Sequence, residues 1–130
     1  MVGIEANVLV RYIVRDDAAQ TAKADGLLQR LTPTDPGYVT IVALSELIWV
    51  LRRSYRLSRS EVVAALEPLL LSQTVRVQHE VAVLPALNAL RRGTGEFADA
   101  VIATLGEQAG CSTTYTFDQG ALRLPGFTAL

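Results

Sequence analysis

Short apolar runs alternate along the chain with longer segments in which apolar residues recur at helical spacing. The runs at Val2 to Glu5, Tyr38 to Ile41 and Val75 to Gln78 predict strands, as do Ser112 to Phe117 and Phe127 to Leu130. Strands that alternate with helices pair in parallel through right-handed crossovers. The pattern therefore predicts an α/β fold: a three-layer α/β/α sandwich with a central parallel sheet of four or five strands.

Local signals mark helix ends and candidate core positions. Ser58 precedes Glu61 by three residues, which is the spacing of a capping box at the start of a helix. Gly110 follows the apolar helix predicted over Glu96 to Ala109, at a place where glycine commonly ends a helix. Trp49 and Cys111 have apolar neighbours, which predicts that both lie in the core.

Composition narrows the class of protein. The 130 residues are 50% hydrophobic and 19% charged, which is typical of one globular domain over residues 1–130. No apolar run of about 18 residues is free of charge, and the N-terminal segment lacks the basic start of a signal peptide. We therefore expect a cytoplasmic protein with no membrane segment. The single cysteine excludes an internal disulfide and a zinc site built from thiolates.

Four of the thirteen acidic residues have mainly apolar neighbours: Glu5, Glu46, Asp99 and Asp118. Glu5 ends the first predicted strand and Asp118 follows a later one, so both are predicted at the sheet edge where ligands bind. Glu46 and Asp99 interrupt apolar helices, where a buried carboxylate needs a cation or a proton. Oxygen ligands alone favour Mg²⁺ or Mn²⁺ over zinc. Any one acid, taken alone, is more commonly on a solvated face.

Two polar residues flank these acids, and each has two interpretations. Asn7 either caps the first helix or orients the Glu5 carboxylate through a hydrogen bond. Thr116 is either a strand-forming residue or a hydroxyl that binds a metal-bound water beside Asp118. Asp118 itself is also a candidate N-cap for a short helix at its C-terminal side.

These residues carry a family resemblance. The segments VGIEANVLVRYIVRDD, TIVALSELIWVL, EFADAVIATLGEQAGC and YTFDQGA resemble the PIN domain, and within it the VapC-type toxins of bacterial toxin–antitoxin pairs. The resemblance covers nearly the full chain and places the family's acidic cluster on Glu5, Glu46, Asp99 and Asp118. It implies an Mg²⁺- or Mn²⁺-dependent endoribonuclease in which a metal-activated water attacks the RNA phosphodiester in line.

The chain departs from that family pattern at two places. The first acid of the family is nearly always Asp followed by Ser or Thr, whereas this chain has Glu5 and Ala6. Glu96 replaces a common Asp and shares a helix face with Asp99, so it is a candidate fifth acid. The alternative function is a degenerate PIN domain that binds antitoxin or RNA without cleaving it. A flavodoxin-like ligand domain is disfavoured because no glycine-rich phosphate loop follows a strand.

Arginines are the remaining candidates for contact with RNA. Of the twelve basic residues only Lys23 is lysine, and guanidinium groups bind phosphate in a bidentate manner. Four of them flank the segments of interest: Arg11, Arg15, Arg52 and Arg53. The alternative is that they are solvated helix ends. An apolar patch on the helical hairpin of residues 42–71 predicts a partner, either a second copy in a homodimer or the cognate antitoxin.

Overall fold

A computed structural model describes the whole chain, residues 1–130. The chain forms two compact units, Met1–Gln78 and His79–Leu130. Every strand pair in both units is parallel, and six α-helices accompany the strands. The mixed α/β class predicted from the alternation of strands and helices is confirmed. No helix has both the length and the apolar run needed to span a bilayer.

The first unit carries a three-stranded parallel sheet and four helices. The strands, in the order β1-β2-β3, are β1 (Val2–Gly3), β2 (Gly37–Val39) and β3 (Val75–Val77). The helices are α1 (Ala6–Val14), α2 (Ala18–Arg30), α3 (Ile41–Arg53) and α4 (Arg59–Leu70). Each crossover between neighbouring strands contains two helices, which is a connection long enough for parallel pairing.

The core of the first unit is aliphatic. Helix α1 packs against α2 and α3, and Leu44, Leu47 and Leu51 line the fully buried face of α3. Gly37 begins β2 where an added Cβ would lie 2.4 Å from Ile4 Cδ1. A side chain at this position would therefore require the buried ends of the Ile4 and Leu31 side chains to shift, and glycine avoids that rearrangement.

The second unit contains two helices and a two-stranded parallel sheet. Its elements are α5 (Glu80–Arg92), α6 (Phe97–Gln108), β4 (Thr114–Thr116) and β5 (Phe127–Ala129). Helix α5 packs against α6, and a 3-10 turn at Ala121–Arg123 lies on the crossover from β4 to β5. Gly110 has a φ of +93° just after α6, which confirms the predicted helix end.

The expected single sheet of four or five strands is wrong in one respect. There are five strands, but their hydrogen bonds divide them into a three-stranded and a two-stranded sheet. Each strand has only two or three residues, so it forms few ladder bonds, and the sequence pattern does not indicate which strands share them.

Helix starts agree with the local signals. Ser58 and Glu61 form the predicted reciprocal capping box at the start of α4. Thr40 Oγ1 accepts the amide of Ala43 at 3.1 Å and caps α3. These caps satisfy amide groups that have no partner within the helix, so they fix where α3 and α4 begin.

Candidate functional site

Glu5 lies between β1 and α1, at the N-cap position of the helix. Its backbone is extended, with φ −83° and ψ 157°, and its side chain makes no capping bond. Instead, Asn7 Nδ2 donates a hydrogen bond to Glu5 Oε2 at 3.2 Å. Of the two roles considered for Asn7, the structure therefore contains the orienting one, because the cap position belongs to Glu5.

The burial of Ala6 bears on one departure from the family pattern, the alanine where the family has Ser or Thr. Its side chain is buried, with 3% of its surface exposed, and it begins α1 directly after Glu5. A hydroxyl-bearing residue here would add atoms at a buried position, and where added atoms overpack an interior the cost is typically about 1–3 kcal/mol of stability.

Glu46 lies in the middle of α3 on the exposed side of the helix. The prediction that apolar neighbours bury the acids is wrong for Glu5, Glu46 and Asp118, all of which are exposed. Sequence neighbours on a helix point in different directions, so the apolar residues next to Glu46 are buried while its own side chain is not. Only Asp99 is partly buried.

Asp99 lies in the first turn of α6, in the second unit. The helix starts close against Leu124, because a Cβ on Gly95 would lie 2.5 Å from that side chain. Burial raises the pKa of Asp99, and the negative charges of Asp118 and Glu96 raise it further. Glu96 is the N-cap residue but makes no capping bond, so its carboxylate acts on Asp99 through charge.

Asp118 is held by two local hydrogen bonds in the loop after β4. Thr116 Oγ1 accepts the amide of Asp118 at 3.0 Å, and Asp118 Oδ1 accepts the amide of Gly120 at 2.8 Å. The 3-10 turn that follows has Gly120 as its N-cap and no side-chain cap. Asp118 is therefore the centre of a turn rather than a helix cap, and the Thr116 hydroxyl positions its backbone.

The donor chemistry of these acids suits a hard divalent cation, since every candidate ligand is a carboxylate oxygen. The chain's three ion pairs join Met1 to Asp35, Arg11 to Asp16 and Arg15 to Asp25. None of the candidate acids therefore has a basic partner. Within neither unit do three acidic, cysteine or histidine side chains lie close enough together to hold one ion.

Comparison with known families decides the class. The sequence pattern of the PIN domain matches residues 3–126. The chain belongs to the PIN domain family. PIN domains are generally nucleases, and PIN nucleases usually use divalent metal ions. A comparison with curated proteins finds no match.

Most of the arginines proposed to bind RNA have partners within the PIN domain. Arg11 donates to Gln20 at 2.6 Å, to Asp16 at 2.8 Å and to the Tyr55 hydroxyl at 3.0 Å. Arg15 forms a bidentate pair with Asp25, and Arg52 donates to the Leu57 carbonyl. Arg53 is exposed at the end of α3 and forms no ion pair.

A groove runs along α1 and α2 beside Asn7. It has a volume of about 510 Å³ and is lined by Asn7, Val8, Arg11, Gln20, Lys23, Ala24 and Leu27. Lys23 is exposed at this groove, whereas the charge of Arg11 is already paired with Asp16. The groove begins at the residue that orients Glu5.

Two residues predicted to lie in the core are exposed. Cys111 follows the end of α6 at the surface, and 60% of Trp49 is exposed. For Trp49 the sequence contained a signal that the prediction overlooked. Trp49 lies on the opposite side of a helical wheel from Leu44, Leu47 and Leu51, which form the buried face of α3.

Proposed function

We propose that this PIN domain is a metal-dependent endoribonuclease and the toxin component of a toxin–antitoxin pair. The proposed metal ligands and catalytic carboxylates are Glu5, Glu46, Asp99 and Asp118, with Mg²⁺ or Mn²⁺ as the cation. Membership of the PIN family, together with the raised pKa of Asp99 beside Asp118 and Glu96, supports this assignment. A carboxylate held among like charges gains more from a bound cation than an ordinary exposed one.

The remaining polar groups have supporting roles in this proposal. Asn7 restricts the rotation of the Glu5 carboxylate, and the turn at Thr116 and Gly120 restricts Asp118. Fixed carboxylates lose less side-chain freedom when an ion binds. A bound divalent ion would supply positive charge to the phosphate and an activated water for its hydrolysis. Glu96 adds negative charge at the start of α6.

Cleavage of labelled RNA by purified protein in Mg²⁺, Mn²⁺ or EDTA tests the proposal. Glu46→Gln should abolish metal-dependent cleavage because the amide has lost the charge that holds the cation. Glu67→Gln is the matched control, since Glu67 is an exposed acid in α4 outside the candidate site. Cleavage that persists in EDTA, or equal cleavage by both variants, would contradict a metal-dependent reaction at these acids.

The alternative, a PIN domain that binds RNA or antitoxin without cleaving it, follows from Glu5. The extra methylene moves the carboxylate by about 1–1.5 Å relative to Asp, and Mg²⁺ requires near-ideal octahedral distances. Glu5→Asp tests this alternative alone. Ala6→Thr is a poor companion because position 6 is buried. Cleavage by Glu5→Asp but not by the native protein would favour the degenerate domain. Equal cleavage by both would show that Glu5 can take the place of Asp as a metal ligand.

The proposed setting is a cytoplasmic homodimer that binds a separate antitoxin chain. The segments that resemble VapC-type toxins support the toxin role. Exposed apolar side chains on α5 and α6, namely Val81, Leu84 and Ile102, are consistent with a protein partner. Light scattering of the purified protein, alone and with the product of an adjacent small gene, tests both partners. A protein that stays monomeric and does not bind the product of the adjacent gene would contradict both the homodimer and the antitoxin.

A further inference from the structure

The outer face of α3 carries a narrow exposed strip that consists of Val42, Glu46, Trp49 and Arg53. At 3.6 residues per turn, these four positions fall within an arc of about 60°. The opposite face, which includes Leu44, Leu47 and Leu51, is fully buried. Along the helix, the α3 strip therefore presents first the carboxylate of Glu46, then the ring of Trp49 and then the guanidinium group of Arg53.

Trp49 contributes little to the core of the first unit. Its side chain is 60% exposed, whereas Leu47 and Leu51 on the same helix have no exposed surface. The ring lies one turn beyond Glu46, about 4.5 Å further along the helix axis. Arg53, one turn further still, has no acidic partner in the chain.

We propose that Trp49 stacks on an unpaired base of the substrate strand next to the cleaved phosphodiester, and that Arg53 contacts a neighbouring phosphate. This inference rests on the proposed function, since Glu46 locates the phosphodiester. Single-stranded nucleic acids bind through aromatic side chains on which bases stack, combined with cations that contact the backbone. The α3 strip contains both elements beside a candidate metal ligand. Trp49 is then a specificity-determining residue.

The composition of the strip favours a nucleotide over a second protein chain. Stable protein interfaces bury about 800 Å² on each partner, and acidic side chains such as Glu46 are depleted at their centres. The α3 strip is one side chain wide, and Trp49 stands between Glu46 and Arg53. A flat base covers one ring and leaves both charged groups available to the cation and the phosphate.

Trp49 is the only tryptophan, so its fluorescence reports directly on this position. A single-stranded RNA oligonucleotide is titrated into the protein in EDTA, where no cleavage occurs. We expect saturable quenching of the fluorescence. Oligonucleotides with an abasic site at successive positions should each retain the quenching except at one position, the base that stacks. Binding without quenching would overturn the proposal.

Variants separate stacking from apolar contact. In EDTA, Trp49→Leu should weaken binding of the labelled oligonucleotide about tenfold, whereas Trp49→Phe should retain most of the affinity because it keeps a ring. Tyr12→Leu is the matched control, since it also replaces an exposed aromatic ring by leucine, on α1 and outside the strip. Equal affinity of Trp49→Leu and the native protein would overturn stacking. A change of oligomeric state with unchanged RNA affinity would overturn it in favour of a protein contact.

The two proposals fail in distinguishable ways. Fluorescence quenching in EDTA that is lost at only one abasic position, without cleavage in Mg²⁺ or Mn²⁺, supports base stacking and contradicts the nuclease. Cleavage in Mg²⁺ without quenching in EDTA supports the nuclease and overturns base stacking. Arg53→Gln should weaken binding and reduce its salt dependence, because one phosphate contact is lost.

Discussion

Aspartates in the two units experience opposite electrostatic environments. In the first unit, a hydrogen bond from Tyr55 and the charge of Arg11 lower the pKa of Asp16, and the bidentate bond from Arg15 lowers the pKa of Asp25. In the second unit, burial and the charges of Asp118 and Glu96 raise the pKa of Asp99. The negative charge of Asp16 and Asp25 therefore stabilises the fold, whereas that of Asp99 destabilises it.

The difference separates carboxylates that have a basic partner within the chain from a carboxylate that has only like charges beside it. Asp16 and Asp25 have their partners within the chain, so an external cation has little to add. Asp99 has like charges beside it and no basic partner. Titratable groups whose pKa is shifted by burial and by like charges recur at functional sites. The electrostatic contrast thus points to α6 and the loop after β4 independently of the sequence motif.

The largest expected effect is on activity. Asp99→Asn should lower metal-dependent RNA cleavage by at least about a hundredfold, because loss of groups that only support metal ligands already costs about 10–100-fold. Its melting temperature in EDTA should stay the same or rise, because a destabilising charge is removed. Asp35→Asn, which alters an acid paired with the N-terminus, is the activity control. Native activity in Asp99→Asn would remove the distinction between the two classes of aspartate.

Metal binding should stabilise the native protein but not Asp99→Asn. At a free Mn²⁺ concentration of a hundred times Kd, the expected gain in unfolding free energy is about 2.7 kcal/mol. At a pH between 3.8 and the raised pKa of Asp99, calorimetry in two buffers with different heats of ionisation should show that binding releases a proton, because metal requires the charged form of Asp99. Equal heats in the two buffers would contradict proton release from Asp99.

The two classes of aspartate should affect stability over opposite pH ranges. Between the ordinary pKa of 3.8 and its raised value, Asp99 in the folded protein is protonated to a greater extent than in the unfolded chain. Its contribution to stability therefore declines as pH rises from that value to the raised pKa. Asp25 contributes stability that is present above its ordinary pKa of 3.8 and is lost as pH falls through the lowered folded value.

Melting temperatures measured against pH in EDTA test these signs. Asp99→Asn should remove part of the decline above the ordinary pKa, and Asp25→Asn should remove part of the rise below it. Each variant is the control for the other. The same slope change in both variants would show that the two environments do not differ.

The smallest expected effect concerns Tyr55, whose hydroxyl donates to Asp16 Oδ2 at 2.8 Å. Tyr55→Phe should raise the pKa of Asp16 towards its ordinary value, because this hydrogen bond is the main cause of the lowered pKa. Carbon-detected NMR titration should show that shift, while the pKa of Asp25 should stay unchanged. If the pKa of Asp16 does not change in Tyr55→Phe, Arg11 would be the main cause of its lowered value instead.

Much of the fold was predictable because it depends on local patterns. The strands, the capping box at Ser58 and the helix end at Gly110 all follow from short-range spacing. Hydrogen bonding between strands was not predictable in the same way, because it depends on which short strands meet. For this reason the sequence predicted one sheet, whereas the structure has two.

The surroundings of the four candidate acids were not predictable from their neighbours in the sequence. Apolar neighbours suggested that all four acids are buried, yet only Asp99 is partly buried. The reason is helical direction: the neighbours of Glu46 in the sequence point to other sides of α3. The same error placed Trp49 in the core. The pairing of Arg11 with Asp16 and Tyr55 depends on residues up to 44 positions apart, which spacing alone does not indicate.

The pairing of β4 with β5 closes the segment that carries Asp118. Thr114 pairs with Phe127 and Thr116 with Ala129, so the ladder closes the loop between them. Proteolytic clipping before Phe127 would open this closure without touching any acidic residue. Preparations cleaved before Phe127 should therefore be identified by intact mass before an inactive sample is interpreted as an inactive protein.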